Sequence, residues 1–136
     1  MLEAEKLMEL HVELAECRVV GRAAGGRLVI IPITGGTFEG ERLRGRVCPG
    51  GADWNTAYPD TLCHVSARYW LETDDGAFIS IENEGWLDGG GAVIRTSPRF
   101  LADQDGRYAF LNTGAYAGEL RGGGERSVDI VIWKLA

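Results

Sequence analysis

Residues 62–81 have the sequence LCHVSARYWLETDDGAFISI, in which two apolar segments flank the turn Thr73-Asp74-Asp75-Gly76. An Asp-Gly pair supplies the positive φ angles of a tight hairpin turn. Before the turn, one set of alternate side chains is small or apolar, which is the period of two of a half-buried strand. The stretch therefore predicts an antiparallel β-hairpin. The side chains expected to face inward are Cys63, Val65, Ala67, Tyr69 and Leu71.

The same alternation recurs on both sides of this hairpin, which predicts further strands. The segment 27–33, RLVIIPI, is almost continuously apolar and β-branched. This composition indicates a strand buried on both faces, with Pro32 at its end or at a sheet edge. The predicted strands are residues 7–14, 27–33, 41–48, 62–72, 78–81, 92–96, 107–112, 115–120 and 127–135.

Glycine-rich segments separate these strands. The glycines within 35–40 predict a turn, and the segments 49–56 and 85–91 predict loops. No segment keeps a helical period over ten residues with capping residues. We therefore expect one all-β domain over residues 1–136, either a sandwich or a closed antiparallel barrel of about 8–10 strands. The barrel is favoured because closure removes the exposed edges of strands that are apolar on both faces.

Composition narrows the classes of partner. The formal net charge of −6 and the pI near 4.9 repel phosphate backbones and anionic lipid surfaces, so we expect neither nucleic acid nor a membrane as partner. Three cysteines without C-x-x-C spacing, and no secretory signal, predict a cytoplasmic protein. The apolar side chains expected on the outer face of the last strand, Val131, Trp133 and Leu135, predict a homodimer contact.

Several motifs follow one another in the order of a known family. They are PITGGTFEG at 32–40, RLRGRV at 42–47, PGGADW at 49–54, ARY at 67–69, ETDDGA at 72–77, RTSPRF at 95–100 and YAFLN at 108–112. In these motifs the chain resembles domain-of-unknown-function family 3237, also called uncharacterised protein family 0311. The resemblance implies a small antiparallel β-barrel, comparable with lipocalin-like and allene-oxide-cyclase-like barrels, and no settled activity.

The chain departs from this family pattern at three places. Glu41 stands where a proline is usual, and Ser66 stands where an aspartate is common before the ARY motif. The second change weakens any role for an aspartate–arginine pair in that strand. The loop before Arg95 is shorter than usual, which we expect to open or reshape a barrel mouth.

The segment 49–54 is the strongest candidate for a site. Its consecutive glycines let the backbone approach a ligand, while Asp53 and Trp54 present a carboxylate beside an indole. An apolar neighbour raises the pKa of a carboxyl group and suits it to general acid–base catalysis. The alternative is that Asp53 caps a turn and Trp54 closes one end of the barrel.

Further polar side chains are candidates for ligand contacts. Tyr69, Tyr108 and Asn112 are predicted to face inward, where a phenol or an amide needs an internal hydrogen-bond partner or a ligand. With Asp53 they could bind a carbonyl and move a proton, with Tyr69 as the second catalytic residue, although an internal hydrogen-bonded core is equally consistent. Arg68 could bind an anion if a bulge turned it inward, but its position in the polar register favours a solvated side chain.

Other chemistries are disfavoured. His11 and His64 lie on predicted outward faces without metal-ligand spacing, so neither a metal site nor a serine triad is expected. We therefore predict no cofactor. The first hypothesis is a cofactor-independent isomerase, cyclase or lyase acting on a hydrophobic carbonyl or phenolic small molecule. The alternatives are a non-catalytic ligand-binding barrel and a structural or interaction protein.

Overall fold

Segments with a period of two form most of the strands. The computed structural model describes residues 1–136 and contains ten β-strands and one short 3₁₀ helix, Ala109–Asn112. None of its helical segments has the length and apolarity needed to span a membrane. The strands are β1 (Ala4–Leu14), β2 (Arg18–Ala23), β3 (Gly26–Glu39), β4 (Arg44–Val47), β5 (Ala52–Ala57), β6 (Cys63–Thr73), β7 (Phe78–Leu87), β8 (Ile94–Leu101), β9 (Ala115–Gly124) and β10 (Ser127–Leu135).

Backbone pairing closes the sheet into an antiparallel barrel. β1 pairs with β10 on one side and with β3 on the other, and the order then continues from β10 through β9, β8 and β7 to β6. Between β6 and β3, the short strands β4 and β5 occupy one position in succession. The result is a closed barrel with eight strand positions. The predicted all-β barrel is therefore confirmed.

Pro32 lies inside β3, and the sheet is arranged around it. The Pro32 carbonyl accepts the N–H of Ala15, which lies between the end of β1 and the start of β2. The next residue, Ile33, donates its N–H to Gly51 on the opposite side. Because successive N–H groups of a strand point to opposite sides, the missing N–H of Pro32 faces the interruption between β1 and β2. A strand expected to end near Pro32 can therefore continue.

The prediction of a turn within 35–40 is wrong. β3 runs through Gly35 and Gly36 to Glu39 and pairs there with β1. Gly36 has a φ of 135°, and a Cβ at this position would lie 2.0 Å from the carbonyl oxygen of His11. Glycine is needed because the two backbones approach closely in a conformation that other residues rarely adopt.

Three other expectations are corrected. The segment 49–56 is not only a loop, because β5 fills the gap between β3 and β6. Gly85 lies in β7, which ends at Leu87, so the following loop begins after Leu87. A Cβ on Gly85 would come within 2.2 Å of the carbonyl oxygen of Arg95. The predicted strand 107–112 is not formed, because a turn leads into the 3₁₀ helix Ala109–Asn112, and this helix inserts Leu111 into the core.

The barrel is filled more completely at one end than at the other. Met8, Leu71, Ile79 and Leu111 are fully buried at the end where the 3₁₀ helix covers the barrel. On β10, Ile130 and Ile132 are buried as predicted, and their outward neighbours, including Trp133, are partly exposed. The homodimer contact on that outer face stays a prediction.

The close approach at Gly36 predicts a large effect of a single methyl group. Gly36→Ala should lower the free energy of unfolding by about 3 kcal/mol, because it combines a steric clash with a strained backbone. Urea denaturation measures this change. Gly122→Ala is the matched control, because a Cβ there has no heavy atom within 4 Å, and it should stay within about 0.5 kcal/mol of wild type. Equal effects of the two substitutions would contradict the close approach.

Candidate functional site

A cavity of about 190 Å³ lies inside the less completely filled end of the barrel. Most of its wall is apolar and comes from strands on all sides, with Val12, Ile33, Ile94, Leu120 and Ile130 among the contributors. The polar side chains that line it are Asp53, Asn55, Tyr69 and Asn83. A concave apolar site with a few converging polar groups is the usual form of a small-molecule site.

Asp53 reaches this cavity because it belongs to the inward face of β5. It pairs with Ala67 of β6, and the backbone N–H of Ser66 donates a hydrogen bond of 2.9 Å to its Oδ1. Burial raises the pKa of the Asp53 carboxyl above its usual value, against the opposing effects of the Ser66 hydrogen bond, His64 and Asn55. The group therefore keeps its proton to a higher pH than an exposed aspartate, which suits it to exchange protons with a ligand.

Two other polar groups of the cavity lack partners. Tyr69 and Asn83 are each only 3% exposed, and neither Tyr69 Oη nor Asn83 Oδ1 has a hydrogen-bond partner. A buried polar atom without a partner costs about 1–3 kcal/mol. Burial, and secondly the charge of Asp53, raise the pKa of Tyr69. Its phenol therefore stays protonated and available as a donor, and both side chains mark positions where a ligand can form hydrogen bonds.

A cysteine that contacts the cavity residue Asn55 is a poor nucleophile. Cys63 Sγ lies 3.5 Å from Asn55 Oδ1, to which it donates. Burial and the nearby charge of Asp53 raise the pKa of the Cys63 thiol. Because the thiolate is the reactive form, thiol chemistry at this position is disfavoured.

Two predicted ligand contacts lie outside the cavity. Trp54 directly follows Asp53 in β5, and Arg68 directly precedes Tyr69 in β6. Because side chains alternate along a strand, both point to the outer face of the barrel. Trp54 is 45% exposed, and Arg68 Nε lies 3.7 Å from the Glu82 carboxylate. No bulge turns Arg68 inward, so neither side chain can contact a ligand in the interior.

The two remaining candidates stabilise the opposite end of the barrel. Tyr108 Oη donates a hydrogen bond of 2.9 Å to Asp75 Oδ1 in the β6–β7 hairpin. Asn112 accepts the N–H of Ala102 at 2.7 Å and donates to its carbonyl at 2.8 Å. Both side chains satisfy their polar groups within the protein, so the internal hydrogen-bonding alternative holds for them. Neither Tyr108 nor Asn112 lines the cavity, which corrects the expectation that both contact a ligand in the interior.

Asn83 was not anticipated from the sequence. The predicted strand after the hairpin ends at Ile81, whereas the period of two continues through Asn83 to Gly85 in β7. Extending the alternation by one step would have placed this amide on the inner face. The two histidines pair with carboxylates on the outer surface, His11 with Asp129 at 2.7 Å and His64 with Glu84 at 2.9 Å.

Comparison with known sequences is consistent with the motifs. A family model described as "Protein of unknown function (DUF3237)" matches residues 2–96. A UPF0311 protein of Clostridium acetobutylicum is 40% identical over 91 residues, which is 67% of this chain and 52% of that protein. A UPF0311 protein of Rhodopseudomonas palustris is 35% identical over 98 residues, 72% of this chain and 64% of that protein. The matched part thus spans between about half and two thirds of these relatives.

Solved structures share the whole barrel. A beta-barrel like protein of Acinetobacter baumannii has a TM-score of 0.91 and 30% identity, with 100% of this chain and 97% of the other covered. A structure described as an enzyme from Penicillium herquei has a TM-score of 0.79 over 99% of this chain and 95% of the other. Its 18% identity limits the likeness to the fold. The family match and the shared barrel establish that this chain belongs to the DUF3237 (UPF0311) family.

Proposed function

We propose that the barrel interior binds a small, largely apolar carbonyl compound and that Asp53 moves a proton on it without a cofactor. The supporting observation is the meeting, in one apolar cavity, of a buried carboxyl and two buried polar atoms without partners. Titratable groups with perturbed pKa values in a cavity are typical of functional sites. A solidly filled barrel would instead have favoured a purely structural role.

The size of the cavity limits the ligand. A dry apolar cavity of roughly 150 Å³ takes up benzene. The cavity of about 190 Å³ therefore has room for one aromatic ring with a short substituent or a small fused ring. The apolar wall favours a hydrophobic body, and the few polar groups orient it.

Proton transfer next to a carbonyl uses the groups that line this cavity. The Tyr69 O–H donates to the carbonyl oxygen, and the ionised Asp53 carboxylate takes a proton from the adjacent carbon. The electron pair of that C–H bond moves to the oxygen and forms an enolate, which the Tyr69 hydrogen bond stabilises. Protonated Asp53 then transfers the proton to another carbon of the enolate, or first exchanges it with solvent and returns a solvent proton to the same carbon. The outcome is exchange or isomerisation, with no change in redox state.

The second candidate is a binding barrel without chemistry. The partners missing from Tyr69 and Asn83 could be supplied by a ligand that is merely held. The description of the Penicillium herquei neighbour as an enzyme supports only that a barrel of this shape can contain an active site. A carrier tolerates replacement of Asp53, whereas the acid–base proposal does not.

Hydrogen–deuterium exchange distinguishes these two functions. Acetophenone and 2-indanone in D₂O should exchange the hydrogens next to their carbonyl faster with wild type than without protein, as measured by ¹H NMR. Asp53→Asn should lower this rate by about 100-fold or more. Tyr69→Phe should lower it by about 100-fold because the enolate loses its donor. The rate should rise with pH through the raised pKa of Asp53, because the ionised form is the base.

Asp105 is exposed, so Asp105→Asn is the control for the loss of a negative charge. This variant should catalyse exchange of the ketone hydrogens at the wild-type rate. Exchange by Asp53→Asn at the wild-type rate would contradict the acid–base proposal. Binding of either ketone without exchange would favour the carrier.

The buried carboxyl also predicts a pH-dependent stability. The folded-state pKa of Asp53 lies above its unfolded value, so its contribution to stability is complete below the unfolded pKa and is lost as pH rises through the folded pKa. Asp53→Asn should therefore unfold at higher urea concentration than wild type at pH 7, and the difference should shrink near pH ~4, close to the ordinary aspartate pKa. The amide oxygen can still accept the Ser66 N–H.

Asp105→Asn, made outside the cavity, should stay within about 0.5 kcal/mol of wild type at pH 7. An Asp53→Asn protein that is less stable than wild type at pH 7 would show that the fold favours the carboxylate. That result would argue against a desolvated acid.

A further inference from the structure

The immediate neighbours of Asn83 in the sheet cannot satisfy its amide. Its partners across the sheet are Ala67 in β6 and Pro98 in β8. Its neighbours on the inner face of β7 are Ile81 and Gly85. None of these four residues has a polar side chain. The hydrogen-bond partner that Asn83 Oδ1 lacks must therefore come from the cavity that the side chain lines.

Thr96 shows that a missing partner alone does not mark the site. Its Oγ1 is also buried without a hydrogen-bond partner. However, Thr96 packs against Gly118, where a Cβ would lie only 2.1 Å from this oxygen. Thr96 is also not among the residues that line the cavity. Asn83 combines the missing partner with access to the space that a ligand would occupy.

The charges around the cavity exclude an anionic ligand. No lysine, arginine or histidine is among its lining residues, and its one carboxyl group is that of Asp53. The arginines of the neighbouring strands point outward, where Arg99 pairs with Glu82 at 3.2 Å and Arg95 with Glu119 at 2.7 Å. A carboxylate or phosphate in the cavity would be desolvated without a cation and would lie near a second acid.

We infer that the ligand is an uncharged compound with one carbonyl and one hydroxyl group on an apolar ring, and that Asn83 is the specificity-determining residue that binds the hydroxyl. The inference rests on the proposed function for the site and adds the substrate class. Tyr69 donates to the carbonyl oxygen, and the ligand hydroxyl donates to Asn83 Oδ1. The volume of about 190 Å³ exceeds the roughly 150 Å³ of an apolar cavity that takes up benzene, which leaves room for small polar substituents on one ring.

Calorimetric titration at pH 7 with four probes of similar size tests the substrate class. They are 3′-hydroxyacetophenone, 4′-hydroxyacetophenone, acetophenone and 4-hydroxybenzoate. Wild type should bind at least one hydroxyacetophenone about 10-fold more tightly than acetophenone, because the hydroxyl satisfies a buried acceptor. The benzoate should bind about 100-fold more weakly than the better ketone, because its charge is buried without a partner.

Substitution of Asn83 tests the assignment of the hydroxyl. In Asn83→Leu, the hydroxyketone and acetophenone should bind within about 2-fold of each other, because the acceptor is gone. Asn83→Ala serves the same purpose if the leucine variant does not fold. Thr96→Val is the matched control, because it removes a similarly buried oxygen away from the cavity, and it should keep the full preference.

Each contrary result overturns the inference. It fails if no uncharged probe binds, if the benzoate binds as tightly as the ketones, or if the hydroxyl preference survives in Asn83→Leu. A hydroxyl preference without ketone exchange overturns the acid–base function but leaves the substrate class. Exchange without a hydroxyl preference overturns the substrate class and leaves the acid–base function.

Discussion

Closure of the barrel depends on how closely the backbone of β3 and the residue after it can approach the backbone of β1. A Cβ on Gly36 would lie 2.0 Å from the carbonyl oxygen of His11, and a Cβ on Gly40 would lie 2.1 Å from that of Leu7. Because glycine has no side chain to clash at these two positions, β3 can pair with β1, the strand that also pairs with β10. Closure then directs alternate side chains of every strand into one interior, and this interior contains both the packed core and the cavity.

The position of Asp53 follows from a second backbone constraint. The barrel position between β3 and β6 is divided between β4 and β5, and the division falls at a glycine pair. A Cβ on Gly51 would come within 2.4 Å of the carbonyl oxygen of Arg68, so the chain can rejoin the sheet only with glycine at this position. β5 then begins at Ala52 and directs Asp53 inward. The same register necessarily directs Trp54 outward.

The sequence pattern predicts the structure correctly where local interactions determine it. The Asp-Gly hairpin, the inward face of β6 and the limits of β10 follow from turn residues and a period of two. The predicted pair Asp53 and Tyr69 both line the cavity. The path of β3 through its glycines was not predictable, because their role is contact with a distant strand. Nor were the positions of Tyr108 and Asn112, because which end of the barrel is filled depends on how residues 102–114 fold back.

The polar groups of the cavity argue for a ligand on energetic grounds. Each buried atom without a partner costs about 1–3 kcal/mol, and whole domains are stable by only about 5–15 kcal/mol. Tyr69 and Asn83 both have such an atom, and Asp53 is desolvated beside them. In a barrel with a purely structural role, phenylalanine and leucine would fill the same positions at lower cost. A ligand that supplies the missing hydrogen bonds gives these polar side chains a physical reason to be there.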